Sequence, residues 1–167
     1  RRRDAFVKEL GEIVYNIHKN ISGNREELIL TYEPDTDADQ LESALASARE
    51  KDRKYCQTSV GPHRDDLLFQ IGNADIRKFG SQGQQRTSAL SLKMSEIQMV
   101  KKLIHDTPVL LLDDVLSELD SSRQNYLLAS IHDIQTIITC TGLDEFVKNR
   151  FRIDRVFEVR SGRVELK

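Results

Sequence analysis

Tryptophan is absent from these 167 residues, cysteine and methionine occur twice each, and proline three times. Two isolated cysteines, Cys56 and Cys140, make no disulfide framework and match no metal-ligand spacing, which points to a reducing compartment. Cys140, in an apolar run, reads as a core residue. No apolar run approaches the roughly 20 residues that span a bilayer, and no signal-peptide pattern is present. Internal repeats and low-complexity linkers are missing too. Nor does one charge sign dominate: 25 Lys and Arg against 27 Asp and Glu give a net charge of −2, so no global basic character announces nucleic acid. The charge is uneven, however. Glu33, Asp35, Asp37, Asp39 and Glu42 form an acidic stretch, and residues 148–167 hold seven basic residues against Asp154, Glu158 and Glu165. Both read as solvated faces, with a local contribution to DNA binding as the alternative.

What is present is a globular composition, 38% hydrophobic and 31% charged, over a length that can bury a core. The chain opens on Arg1, Arg2 and Arg3 with no Met. That opening predicts a cytosolic fragment that starts inside a longer protein.

Residues 3–19 carry Phe6, Leu10, Ile13, Val14 and Ile17 at helical spacing, and Ser22-Gly23-Asn24 breaks the pattern. Residues 27–32 predict a strand, residues 39–54 a helix with Leu41, Ala44, Leu45 and Ala48 on one side, and Val60-Gly61-Pro62 a turn. A strand over 66–71 and a hairpin turn at Gly72-Asn73 lead into an extended segment over 74–79. After a polar loop at 80–83, residues 84–105 predict a long helix with Leu90, Met94, Ile97 and Val100 or Lys101 along one side. Val109-Leu110-Leu111-Leu112 is a continuous apolar run, the mark of a parallel strand buried on both faces. A helix over 121–131, a second buried strand over 136–140, and terminal strands over 151–159 and 164–166 complete the chain. Alternating helix and strand in the second half predicts an α/β sheet; the first half is more helical.

Three local features carry chemistry. The apolar run ends in Asp113-Asp114. Ligands of open α/β sheets sit beyond the carboxyl ends of the strands, so Asp113 stands where the Mg²⁺ of a bound nucleotide would be held through its water shell. Asp114 could orient or deprotonate an attacking water. A solvated turn or an aspartate helix cap is the structural alternative. Second, Ser81-Gln82-Gly83-Gln84-Gln85-Arg86 sits between a strand and a long helix. Ser81 can cap the helix, Gly83 allows close backbone approach, and a helix N-terminus suits a phosphate. An ordinary capped helix has the same pattern. Third, Ser117-Glu118-Leu119-Asp120 follows the two acids, with Asp120 or Ser121 as a potential cap. His63 lacks a second ligand at suitable spacing, so it is not read as a metal site. Arg64 either contacts phosphate or DNA, or pairs with Asp65 or Asp66 to fix a turn.

The order of these features resembles the C-terminal lobe of an ABC-type ATPase. Ser81, Gln82, Gly83 and Gln84 resemble the signature motif, residues 109–114 resemble Walker B, and Ser117, Glu118, Leu119 and Asp120 resemble the D-loop. Thr141 falls at the switch position. Gln82 for a signature glycine, Asp114 for the usual glutamate and Thr141 for the usual histidine all fit the RecF family of ABC/SMC-class ATPases. So do Gly61-Pro62-His63-Arg64-Asp65-Asp66-Leu67 and Phe79-Gly80-Ser81-Gln82-Gly83-Gln84-Gln85-Arg86-Thr87. The resemblance covers nearly the whole chain and is sharpest over 59–142.

The resemblance implies an α/β fold: a partial ABC-ATPase head, with a helical signature lobe and part of a Walker B-containing β-sheet. Residues 1–58 would belong to the helical lobe or arm, and 59–167 to the signature motif, Walker B, D-loop and C-terminal strands. No Gly-x-x-x-x-Gly-Lys-Ser/Thr occurs in the sequence, so the chain reads as a C-terminal half without a P-loop, inactive by itself. The parent would be a slow DNA-dependent ATPase, cytoplasmic and nucleoid-associated, serving DNA replication, DNA-damage repair and the SOS response. It would use ATP and Mg²⁺ and dimerise on ATP. It would bind DNA junctions or gapped duplex with RecO and RecR to place RecA, without a membrane. In that dimer the signature loop acts in trans, on ATP held by the partner. An ABC transporter nucleotide-binding subunit and a non-catalytic interaction fragment are the alternatives.

Overall fold

The computed structural model describes residues 2–141 and 153–167, except for the side chains of Ser117 and Glu118. Two compact units divide at Pro108 and Val109. The first two strands of the first unit pair across the boundary expected at 58/59.

In the first unit, α1 (Arg2–Ile21) buries Val7, Leu10, Val14, Ile17, His18 and Ile21, a stripe at helical spacing. Asp4 in its first turn and Lys19 in its last complement the helix dipole. Phe6, expected on the apolar face, is 45% exposed, because Val7 holds the inward position. Three antiparallel strands follow in the order β1 (Leu28–Glu33), β2 (Asp66–Ile71), β3 (Ala74–Asp75). β1 and β2 pair from Leu28–Ile71 to Glu33–Asp66, and Leu28 and Leu30 face the core with Val7, Leu10, Val14, Ile76 and Met99. A Cβ on Gly11 would stand 3.3 Å from the Leu30 carbonyl oxygen, so this glycine lets α1 lie close on β1.

α2 (Leu41–Tyr55) buries no residue. Leu41, Ala44 and Ala48 are half-buried and Leu45 is exposed, since alanines offer little apolar area to hold a helix face down. The extended segment expected over 74–79 is corrected. β3 stops at Asp75, whose carboxylate accepts the Arg77 amide at 3.0 Å and caps a single helical turn, α3 (Ile76–Phe79).

α4 (Gln82–Ile104) starts two residues earlier than its apolar periodicity suggests. Its buried face is Thr87, Ser88, Leu90, Ser91, Met94, Ser95 and Met99, not a line through Ile97 and Val100. Hydroxyls make this face. Thr87 donates to the Gly83 carbonyl (2.6 Å), Ser91 to that of Thr87 (2.8 Å) and Ser95 to that of Ser91 (2.6 Å). Each is satisfied within its own helix and packs as a small side chain.

In the second unit, β4 (Leu110–Asp113) pairs in parallel with β5 (Thr136–Thr139), register Leu110–Thr136 to Asp113–Thr139. A 3-10 turn (Val115–Glu118) and α5 (Ser121–Ser130) connect them, and Leu116, Leu127, Leu128, Ile131 and Ile134 are buried. Burial of both strand faces, expected from the apolar runs, is corrected. Leu111 is 70% exposed and Ile137 56%, so among the described residues one face of the pair is half-buried and the other open. Cys140 is likewise exposed rather than core, because β5 ends one residue before it. β6 (Phe157–Arg160) and β7 (Arg163–Leu166) form a hairpin about Ser161-Gly162, both at positive φ as a tight two-residue turn requires. The expected strand segment at 151–152 and the basic residues 148–152 lie outside the described residues.

Candidate nucleotide-binding site

The loop ahead of α4 is built by reciprocal capping. Ser81 lies extended (φ −63°, ψ 158°), and its Oγ accepts the Gln84 amide at 3.2 Å. The Gln84 Oε1 accepts the Ser81 amide at 2.9 Å. This is a capping box, which satisfies two backbone donors and fixes the entry into the helix. Ser81 uses its oxygen as acceptor here, so its hydroxyl proton remains available to donate outward. Gln82 and Gly83 form the first turn, where helix amides and the dipole suit an anion. The Gln84 amide is committed to the cap. Gly80 precedes the loop, and a Cβ there would stand 2.5 Å from the Ile76 carbonyl oxygen and 2.7 Å from Ile76 Cγ2. Only glycine fits.

At the carboxyl end of β4 the two acids behave differently. The Asp113 carboxylate is exposed and accepts the Thr139 hydroxyl from the neighbouring strand. Asp114 adopts a left-handed backbone (φ 50°, ψ 21°), with its amide donating to the Thr139 carbonyl (3.1 Å) and Oγ1 (3.2 Å). A non-glycine residue at positive φ costs about 1–2 kcal/mol, and Asp tolerates it better than most. The turn redirects the chain, so that successive carboxylates leave a strand end instead of alternating across a sheet. Asp113 offers the hard oxygen that suits Mg²⁺. Among the described residues no group of three or more His, Cys, Asp or Glu side chains could hold a metal by itself.

Asp120 caps α5. Its carboxylate accepts the Arg123 amide at 3.0 Å and pairs with the Arg123 guanidinium. That amide first, then the guanidinium's charge, hold Asp120 below the usual carboxylate range. Leu119 returns its amide to the Leu116 carbonyl (3.3 Å). Thr141 is exposed, two residues beyond β5. The expectations for the side chains of Ser117 and Glu118 lie outside the described residues.

Of the two roles open to Arg64, pairing is not what the structure has. Asp65, only 7% exposed, takes the Arg3 guanidinium (2.8 Å), the Tyr32 hydroxyl and the Asp35 amide (3.1 Å). The Tyr32 hydroxyl first, then the Asp35 amide and Arg3, lower its pKa against the opposing effect of burial. Asp66 pairs with Arg77 at 2.8 Å. Arg64 is exposed on the loop these bonds fix. Tyr32 and Glu26 were not singled out from the sequence. Asp65 was read only as a partner for Arg64, and Thr139 only as part of the stretch that ends at the switch position.

No family model matches the chain. A DNA replication and repair protein RecF from Agathobacter rectalis is 67% identical over 166 residues, 99% of this chain and 46% of that protein. The chain belongs to the RecF family. It spans about half the length of the curated relatives it matches. The fold agrees. The recombination mediator protein RecF in the RecFOR pathway, solved with ATPrS, superposes over 98% of this chain and 45% of its own, with TM-score 0.81 and 33% identity. An SmcHead bound to the C-winged helix domain of ScpA shares the fold alone, over 96% of this chain and 42% of its own, at TM-score 0.56 and 15% identity. The RecF family's α/β head fold, of the ABC/SMC-like class, is thus present in part. Among the described residues no helix is long and apolar enough to cross a membrane.

Proposed function

We propose that this chain supplies the signature loop and the Walker B strand of a RecF ATPase that acts in DNA repair and replication. The observation that carries the reading is the strand end at Asp113-Asp114, held by Thr139 and turned by a left-handed Asp114. Relatives at high identity are named for DNA replication and repair, and the similar solved RecF structures hold ATP or ATPrS. Both support the reading, and neither supports the transporter alternative.

In this reading Asp113 holds Mg²⁺ through its waters, and Asp114 takes the proton of the water that attacks ATP. Ser81, through its hydroxyl proton, and the first-turn amide of Gly83, with Gln82 beside it, bind the γ-phosphate of ATP held by a partner subunit; the Gln84 amide, expected to join them, donates to Ser81 Oγ instead. Gln84 shapes that loop. Leu119 and Asp120, with Ser117 and Glu118, form the D-loop, and Thr141 stands at the switch position. Arg64 contacts phosphate or DNA. By role, residues 1–58 belong to the helical lobe and 59–167 to the catalytic motifs. ATP binds the closed dimer better than the open monomer and so draws two subunits together; hydrolysis releases them. The parent is a slow DNA-dependent ATPase of the cytoplasm, associated with the nucleoid. It binds gapped duplex or junction DNA with RecO and RecR and promotes RecA loading.

The test is ATP-dependent dimerisation of the full-length protein with Mg²⁺, followed by light scattering with and without gapped duplex. ATP should raise the dimer fraction, and DNA should raise turnover. A full-length protein that stays monomeric with saturating ATP would overturn the reading and favour the non-catalytic alternative.

A further inference from the structure

The capping box at Ser81 does not stand by itself. The Gln84 Nε2 donates to Glu26 Oε1 at 3.0 Å, a contact 58 residues away in sequence, just ahead of β1. The other carboxylate oxygen of Glu26 lies 3.5 Å from His18 Nε2, and His18 is fully buried in α1. The opposite ring nitrogen, Nδ1, lies 3.1 Å from Ser91 Oγ on α4. Ser91 already donates its hydroxyl proton to the Thr87 carbonyl at 2.8 Å, so its oxygen must accept, and Nδ1 must carry a hydrogen. The ring is thereby oriented, and its far edge faces Glu26. The Glu26 backbone is held as well: its amide donates to Ser22 Oγ (3.3 Å), and the Ser22 hydroxyl reaches its carbonyl (3.2 Å).

We propose that Glu26, its backbone held by Ser22, is the positioning residue for the Ser81–Gln84 loop. Gln84 has one amide group with two jobs: its oxygen closes the cap on Ser81, and its nitrogen is anchored on Glu26. With both ends fixed, the side chain cannot flip, and the loop keeps one shape before any nucleotide arrives. Preorganised donors cost no rearrangement when the phosphate binds. The inference rests on the proposed trans role of the loop for its functional consequence, though not for the geometry.

The test exchanges donor and acceptor. In the full-length protein, Gln84→Glu keeps the capping acceptor but sets two carboxylates face to face. Amide hydrogen exchange across residues 81–85 should quicken by roughly tenfold as the cap opens, and ATP-dependent dimerisation should fall with it. Adding Glu26→Gln restores a donor on the opposite side. Its amide nitrogen can donate to the carboxylate introduced at position 84, so both readouts should return towards wild type. A merely structural role would predict further loss in the double variant. The proposal is overturned if Gln84→Glu leaves exchange at 81–85 unchanged, or if Glu26→Gln fails to slow it again. Ser81→Arg, run beside them, judges the underlying reading separately. If Ser81→Arg dimerises on ATP like wild type, the trans role fails, while exchange still decides the role of Glu26.

Discussion

Thr139 donates its hydroxyl to the Asp113 carboxylate from directly opposite it in the β4–β5 register, and its carbonyl accepts the Asp114 amide at 3.1 Å. One residue therefore orients the proposed metal-directed acid and closes the turn that carries the proposed base. Thr139→Val keeps the β-branched shape and the carbonyl and removes only the hydroxyl. Because outer-shell partners of metal ligands typically contribute 10–100-fold, turnover of the full-length protein should fall by about tenfold, with a raised Mg²⁺ requirement. Stability should change by only about 1 kcal/mol or less. A Mg²⁺ titration of steady-state hydrolysis checks this; an unaltered Mg²⁺ dependence assigns the hydroxyl to the turn alone.

Asp113→Asn should weaken Mg²⁺-dependent hydrolysis by removing the metal-directed charge. Asp114→Asn differs. Asn also tolerates the left-handed backbone at this position, so the fold should survive. ATP binding should persist, turnover should drop by about 10²-fold or more, and ATP-bound dimers should accumulate. Single-turnover hydrolysis beside light scattering measures both. Wild-type turnover in Asp114→Asn would move the base to another group.

Gly80→Ala tests the approach to the signature loop. The added Cβ meets the Ile76 carbonyl and side chain below 3.0 Å, and Ile76 is itself buried at 2% exposure. Backbone must move, and overpacking of this kind costs about 1–3 kcal/mol. Urea unfolding of the chain should show the loss, and an unchanged midpoint would mean that α3 shifts freely.

Much of this was legible in the sequence, for identifiable reasons. The capping box follows from Ser81 and Gln84 three residues apart, and β2 from a short, largely apolar segment with a turn on either side. The paired acids at the end of β4 were legible because a four-residue apolar run stops abruptly there. The face of α4 was not, because its buried positions include Thr87, Ser88, Ser91 and Ser95, and the hydroxyls of Thr87, Ser91 and Ser95 are satisfied within the helix. Hydropathy counts such residues as polar, whatever they pack against. The open face of β4 was also missed: an apolar run says that a strand can be covered on both sides, not that the described residues supply both covers. Glu26 gave no signal, since a contact across 58 residues depends on tertiary packing.

Asp65 gives a pH dependence with a definite sign. Its folded pKa is depressed, by the Tyr32 hydroxyl first and then by the Asp35 amide and Arg3. Its stabilisation is thus fully present above the unfolded value of about 3.9 and is lost as pH falls through the lower folded value. Asp65→Asn should be less stable than wild type by a constant margin from pH 7 down to about 5, and the margin should close below about 4. Urea midpoints across that range are the measurement. A margin that persists at the lowest pH would mean that the side chain acts by shape and not by charge. The Gly61–Asp65 loop bearing Arg64 should loosen in the same variant, because Asp65 and Asp35 hold it from two sides.

The trans arrangement makes the sharpest demand. Ser81→Arg puts a bulky cation at the mouth of the signature loop and removes the capping hydroxyl. In the proposed dimer that loop serves ATP held by the partner. The full-length variant should therefore bind ATP as a monomer, yet fail to dimerise on it or hydrolyse it. A second variant, lacking the P-loop lysine that the RecF family resemblance implies elsewhere in the parent, should fail as well. Mixed, the two form a heterodimer in which both lesions fall on one composite site. The other site keeps an intact P-loop and an intact signature, so some ATP-dependent dimer should return, visible by crosslinking. Two outcomes can follow if none returns. ATP binding retained by the Ser81→Arg monomer means that one intact site is too weak to hold two subunits together. ATP binding lost from that monomer means that the loop acts on its own subunit's nucleotide, and the trans arrangement is wrong.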